Sequence, residues 1–161
     1  MPLHGVNVVE MATVVAAPTT ARVLCAYGAE VIKVETLGGD VMRLAGTHEM
    51  TPYTDDCNPL FTIHNSNKKF IAINIKNEDG KKVLLDLLKD ADVFITNVRE
   101  KSLKRNGLDY ETLKELNPGL VYAHFTGYGE KGPAANDPGF DITSFWLRSG
   151  PLADWQTKGS F

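Results

Sequence analysis

The sequence predicts an α/β domain with a mostly parallel sheet and flanking helices. Three observations carry this. Short β-branched runs alternate with segments of helical apolar spacing along the chain. The first 35 residues read strand, helix, strand, and two strands joined by a helix pair in parallel. From Leu120 to Gly150 a buried-looking strand breaks into a glycine-rich loop and then an apolar segment.

Val6 to Glu10 is short and β-branched, a predicted strand. Met11 to Pro18 leaves it as a loop of small residues, Pro18 suits the first turn of a helix, and Thr19 to Tyr27 continues that helix to Gly28. Glu30 to Glu35 is the second strand. Thr36 to Asn58 has no strong period and reads as a long loop, of the kind that is usually functional or mobile. Pro59 to Asn65 is short and carries no clear signal. Asn65 to Lys69 is a polar basic turn before a strand, Phe70 to Lys76.

Asn77-Glu78-Asp79-Gly80 opens a helix, Gly80 to Asp90, with Val83, Leu84, Leu87 and Leu88 at helical spacing. Ala91 to Thr96 is a strand that empties into Asn97-Val98-Arg99. Ser102 to Asn106 is a short helical piece closed by Gly107. Asp109 is placed to cap a helix from Tyr110 to Leu116, which stops at Asn117-Pro118. Leu120 to Phe125 completes the sheet. Thr126 to Pro133 is the glycine loop, and Asp137 to Asp141 is a second turn before Ile142 to Gly150.

The length of 161 residues suits one domain, residues 1–161, with enough chain for a sizeable core. Hydrophobic residues make up 43% and charged residues 23%, as in ordinary globular proteins. A net charge of −3 gives no sign of a nucleic-acid partner. No run of about 18 apolar residues marks a membrane span, and the N-terminus lacks a signal peptide's blocks, so a cytoplasmic location is expected. Cys25 and Cys57 have no metal-type spacing and read as small, buried or half-buried residues. The stretch Asp154 to Phe161, with two aromatics and no cap or charged tail, reads as truncated.

Ligands of parallel α/β sheets bind beyond the carboxyl ends of the strands. Those ends carry Thr13 to Ala17, Glu35-Thr36, Asn97-Val98-Arg99 and Thr126 to Gly129. A glycine loop between strand and helix can present backbone N–H groups to an anion, or can be an ordinary connection. No G-x-G-x-x-G and no P-loop is present, which disfavours nicotinamide or ATP binding by those devices. His4, His48, His64 and His124 are scattered, so no metal site is expected, and His124 reads as a satisfied core histidine. Lys68, Lys69 and Lys76 bracket one strand, and Arg99 and Arg105 follow another. They read either as partners of a phosphorylated ligand or as solvated surface charges. Asp141 reads as a helix N-cap before a catalytic carboxylate.

With these residues in view, the chain resembles the N-terminal part of the family III CoA-transferases. The resemblance runs through ordered blocks: Leu3-x-Gly5-Val6-x-Val8-Val9-Glu10, Ala17-Pro18, Gly28 to Glu35, Gly39-Asp40, Asn65-x-Asn67-Lys68-Lys69, Asp92 to Ile95 with Asn97, and Gly127-Tyr128-Gly129-x-x-Gly132-Pro133. The Asn67-Lys68-Lys69 block, the Gly127 to Pro133 loop and Pro138 to Asp141 look most like the 2-hydroxyacyl-CoA transferases. The resemblance implies a Rossmann-like sheet and a CoA transfer through an aspartyl mixed anhydride and an enzyme–CoA thioester. CoA and acyl-CoA would be substrates, with no permanently bound cofactor, and the whole protein an interlocked homodimer. It implies CoA contacts at Val15, Ala16, Thr36, Ile73, Asn74, Ile75, Lys76, Asn97, Val98, Arg99 and Arg105. Relatives often carry arginine where Thr36 stands. The nucleophilic aspartate is expected beyond Phe161, which leaves the chain without a catalytic residue and inactive alone. Two alternatives stand beside this one. An α-methylacyl-CoA racemase would carry histidine where Phe140 stands, and Phe140 cannot transfer a proton. A non-catalytic CoA-binding fragment is the other.

Overall fold

A computed structural model describes residues 1–44, 54 and 57–155. Five strands form one all-parallel sheet in the order β3-β2-β1-β4-β5: β1 Asn7–Met11, β2 Glu30–Glu35, β3 Lys69–Ala72, β4 Val93–Thr96 and β5 Val121–His124. The chain builds outward from β1 through β2 to β3, then returns past β1 to lay down β4 and β5. The reversal puts a crevice beyond the carboxyl ends of β1 and β4, where open α/β sheets take their ligands.

Alternation along β1 assigns the two faces. Val8 and Ala12 pack with Ala17 and Ala21 of α1 (Ala16–Ala26) and with Val31 and Ile95. Val9 and Met11 point the other way. They join Leu84 and Leu88 of α3 (Glu78–Lys89), Leu103 of α4 (Glu100–Asn106) and Leu113 of α5 (Tyr110–Leu116). These four leucines are fully buried, each contributing about 1.5–3 kcal/mol relative to exposure. α2 (Pro59–Asn65), the segment without a clear sequence signal, is a helix capped by Asn58 and packed on α1.

The predicted cap at Asp109 is in place, Gly107 closes α4 with a φ of 65°, and α3 starts at Glu78 rather than Gly80, capped by Asn77. Several expectations need correction. α1 starts at Ala16, so Val15 and Ala16 stand at a helix entrance rather than in mid-loop. β3 ends at Ala72, so Asn74, Ile75 and Lys76 do not line a strand. Asn74 turns the chain: its side chain accepts from Lys76 N, and its carbonyl accepts from Asn77 N. Gly80 backs onto that carbonyl so closely that a Cβ there would lie 2.3 Å from it. Asp141 caps nothing. Phe140 N donates to Thr143 Oγ1, and Ile142–Leu147 winds as a π-helix, followed by a short α6, Pro151–Asp154.

Within the long Thr36 to Asn58 stretch, Val41–Arg43 forms a 3₁₀ turn capped by Asp40, and Thr54 bridges Cys57. Residues 45–53, 55 and 56 of that stretch lie outside the described residues. Cys25 is half-buried as expected, but Cys57 is exposed. No described helix is long and apolar enough to cross a membrane.

Candidate functional site

The site begins with a buried charge network that the sequence reading missed. Glu10 and Lys33 are directly opposed across β1 and β2 and share the α1 face of the sheet. Lys33 Nζ stands 2.7 Å from Glu10 Oε1, 2.9 Å from Asp40 Oδ2 and 2.7 Å from the Ala12 carbonyl. Lys68 Nζ stands 2.6 Å from Glu10 Oε2 and donates to the Pro18 carbonyl and to Asn65 Oδ1, both at 2.8 Å. Each ammonium thus donates two hydrogen bonds and makes one further ion-pair contact, Lys33 with Asp40 Oδ2 and Lys68 with Glu10 Oε2. All four charged side chains are 0% exposed. Burial pulls the Lys68 ammonium below the usual lysine range, and the Glu10 carboxylate opposes that pull. Two positive and two negative charges cancel, which is how the chain tolerates four ions in its interior.

The network's outer end holds the loop after β1. Asp40 Oδ1 accepts from Val14 N at 3.3 Å and from Met42 N at 3.0 Å. Val14 has a φ of 70°, a left-handed conformation costly for a β-branched residue and kept only where the surroundings impose it. Across the crevice Asn97 closes a two-bond clasp. Its Oδ1 accepts from Thr13 N at 3.1 Å, and its Nδ2 donates to the Thr13 carbonyl at 2.8 Å.

Two cavities open at this edge of the sheet and meet at Thr13. The larger, about 700 Å³, takes in Val15, Ala16, Asn97 and Arg99 from the predicted set. The smaller, about 220 Å³ and mostly apolar, is lined by Thr36, Ile73, Ile75 and Val98. Asn74, Lys76 and Arg105 line neither. Among the described residues Lys76, Arg99 and Arg105 are exposed and make no ion pair. Lys68 and Lys69 are committed elsewhere: Lys68 is buried on Glu10, and Lys69 pairs with Glu30 on an exposed edge.

The far wall of the larger cavity comes from the two turns after β5. They touch at Gly127 and Gly139, where a Cβ on either residue would lie 2.6 Å from the other's Cα. Glycine is needed here for close approach of backbone to backbone. Phe140 and Asp141 line the same wall and are exposed. His124 is satisfied, as expected, with its side chain only 4% exposed. Its Nε2 lies 2.8 Å from the Val98 carbonyl and its Nδ1 2.9 Å from Glu130 Oε1. Glu100 Oε2 lies 3.8 Å from the same Nδ1. The scattered histidines hid this grouping, because its members come from α4, β5 and the glycine loop.

Comparison with known proteins supplies the context for this geometry. A model of CoA-transferase family III matches residues 3–158. The chain is 44% identical over 160 residues to (R)-2-hydroxy-4-methylpentanoate CoA-transferase of Clostridioides difficile, covering 99% of this chain and 40% of that protein. It is 47% identical over 156 residues to cinnamoyl-CoA:phenyllactate CoA-transferase of Clostridium sporogenes, covering 97% of this chain and 38% of that protein. The crystal structure of a CAIB/BAIF family protein from Brucella suis superposes with a TM-score of 0.82 at 38% identity, over 88% of this chain and 38% of that one. The chain therefore spans about two fifths of the length of the curated relatives it matches. With a family model matched over nearly its whole length, this chain belongs to CoA-transferase family III.

Proposed function

We propose that the protein to which this chain belongs moves CoA from an acyl-CoA donor to a 2-hydroxy carboxylic acid, and that this chain supplies the CoA-binding half of the site. The observation that supports it best is the crevice beyond β1 and β4. Val15, Ala16, Asn97 and Arg99 meet there, with Thr36, Ile73, Ile75 and Val98 around the apolar cavity beside it. Arg99 and Arg105, exposed and without an ion pair among the described residues, are the partners assigned to the phosphates of CoA, with Lys76 as a third candidate. Asn74 completes the proposed set from the turn after β3. The choice of a 2-hydroxy acid follows the two relatives above, whose names specify such acids.

In this reading a carboxylate from sequence beyond Phe161 attacks the thioester carbonyl, releasing CoA thiolate and leaving a mixed anhydride. The thiolate then attacks the enzyme's acyl carbon, releasing the donor acid and leaving an enzyme–CoA thioester. The incoming acid reverses the two steps. The whole protein is proposed to be an interlocked homodimer, and residues 1–161 alone to be inactive. A racemase reading is weaker, because Phe140, at the position where that branch carries its histidine, lines the cleft without an ionisable group.

The test is calorimetric titration of the full-length protein with CoA, beside an Arg99→Ala, Arg105→Ala double variant. Affinity should fall at least about ten-fold, roughly 1.4 kcal/mol. Equal affinity in a folded double variant would discard the phosphate assignment.

A further inference from the structure

We propose that Glu100, His124 and Glu130 form a binding site for a divalent metal ion of the zinc class on the wall of the larger cavity. One ligand atom from each residue lies within 4.8 Å of the other two. The Nε2 of His124 faces a carbonyl, Val98 O, and a carbonyl only accepts, so Nε2 carries the proton and donates. Nδ1 then faces two carboxylate oxygens, Glu130 Oε1 at 2.9 Å and Glu100 Oε2 at 3.8 Å. A ring nitrogen and two carboxylate oxygens thus converge on one point, an arrangement that fits a cation between them.

A proton on Nδ1 is the simplest such cation, and it explains half of the arrangement. It would satisfy Glu130 at 2.9 Å and leave the Glu100 oxygen beyond hydrogen-bond reach. An ion with bonds of about 2.0–2.2 Å to imidazole and carboxylate ligands would engage all three. The other contacts of these side chains are those of an outer shell. A metal-bound histidine almost always donates its second ring N–H to a carbonyl or carboxylate, as Nε2 does to Val98. Lys104 Nζ lies 3.1 Å from Glu100 Oε1, which leaves Oε2 for an ion. His124 is nearly buried and packs edge-on against Tyr122, so its ring cannot swing away freely. All three ligands line the cleft, which gives a further coordination position access to water or to an acid's carboxylate. One imidazole with two carboxylates suits a first-row divalent ion, for which zinc is the probe.

The inference stands apart from the CoA reading and is tested by metal binding alone. The full chain is stripped with chelator and titrated with Zn²⁺, and separately with Co²⁺, whose visible spectrum reports an imidazole and oxygen shell. The expectation is one equivalent bound, weakened at least about ten-fold in both His124→Ala and Glu130→Gln. Glu130 is half-exposed on a loop, so Glu130→Gln keeps the fold even if His124→Ala does not. Asp86→Asn, on the exposed face of α3, should leave binding unchanged. Absence of saturable binding, or binding that survives Glu130→Gln at full strength, overturns the site and leaves His124 in a plain hydrogen bond with Glu130.

Discussion

The two walls of the larger cavity are built by opposite means. The wall from β1 and the entrance of α1 rests on four buried ions and a backbone clasp, and its Val14 is held in a conformation the residue does not favour. The wall from the turns after β5 rests on a contact between two glycines and a few exposed hydrogen bonds. Its apolar residues Phe140, Ile142, Phe145 and Leu147 are each more than half exposed. The difference teaches where positional precision comes from in this fold. Buried ions resist displacement, because moving one leaves another without a partner in a poorly polarisable interior. Exposed loops have no such restoring force and move at little cost.

The sharpest way to break the contrast is Lys33→Met. It leaves Asp40 without a cation and Glu10 with Lys68 alone, and denaturant unfolding should show a loss of about 3–5 kcal/mol. A loss below about 1 kcal/mol would mean that water reaches the network and that the first wall is no firmer than the second. Asn97→Ala removes two hydrogen bonds between β4 and the β1 loop. It should cost roughly 1–2 kcal/mol by the same measurement, from about 0.5–1.5 kcal/mol per bond. No change would show that Thr13 is held without the clasp. Gly139→Ala sets a Cβ against Gly127, yet an exposed loop can shift to admit it. Its cost in global stability should be about 1 kcal/mol, the low end for forcing in an extra methyl, with increased proteolytic nicking between 127 and 141 as the sign of a displaced turn. A loss of several kcal/mol would show the second wall to be as firmly set as the first.

His124 and Lys68 show how the candidate site was and was not legible. His124 was read as satisfied, which it is, but its partners Glu100 and Glu130 are 24 residues before it and 6 after it, and no spacing rule joins them. Lys68 was read as one of several surface or phosphate-facing cations. Its neighbour Lys69 is such a surface charge, while Lys68 turns inward onto Glu10. A signal was present. Glu10 and Lys33 interrupt two apolar strands at positions the alternation assigns to the interior, and a charge in a core position asks for an opposite charge beside it.

The order and type of most elements, the parallel pairing, the cap at Asp109 and the family were legible in the chain alone. Those follow from local periodicity, capping chemistry and motif order, which need no knowledge of distant contacts. The tertiary structure decided where β3 stops, because the Asn74 turn depends on Gly80 packing against it. It decided that the predicted contacts divide between two cavities, with Asn74, Lys76 and Arg105 outside both. It decided which charges face solvent and which face one another, since that depends on pairings as far apart as Glu10 and Lys68, made only when the sheet closes its order around β1.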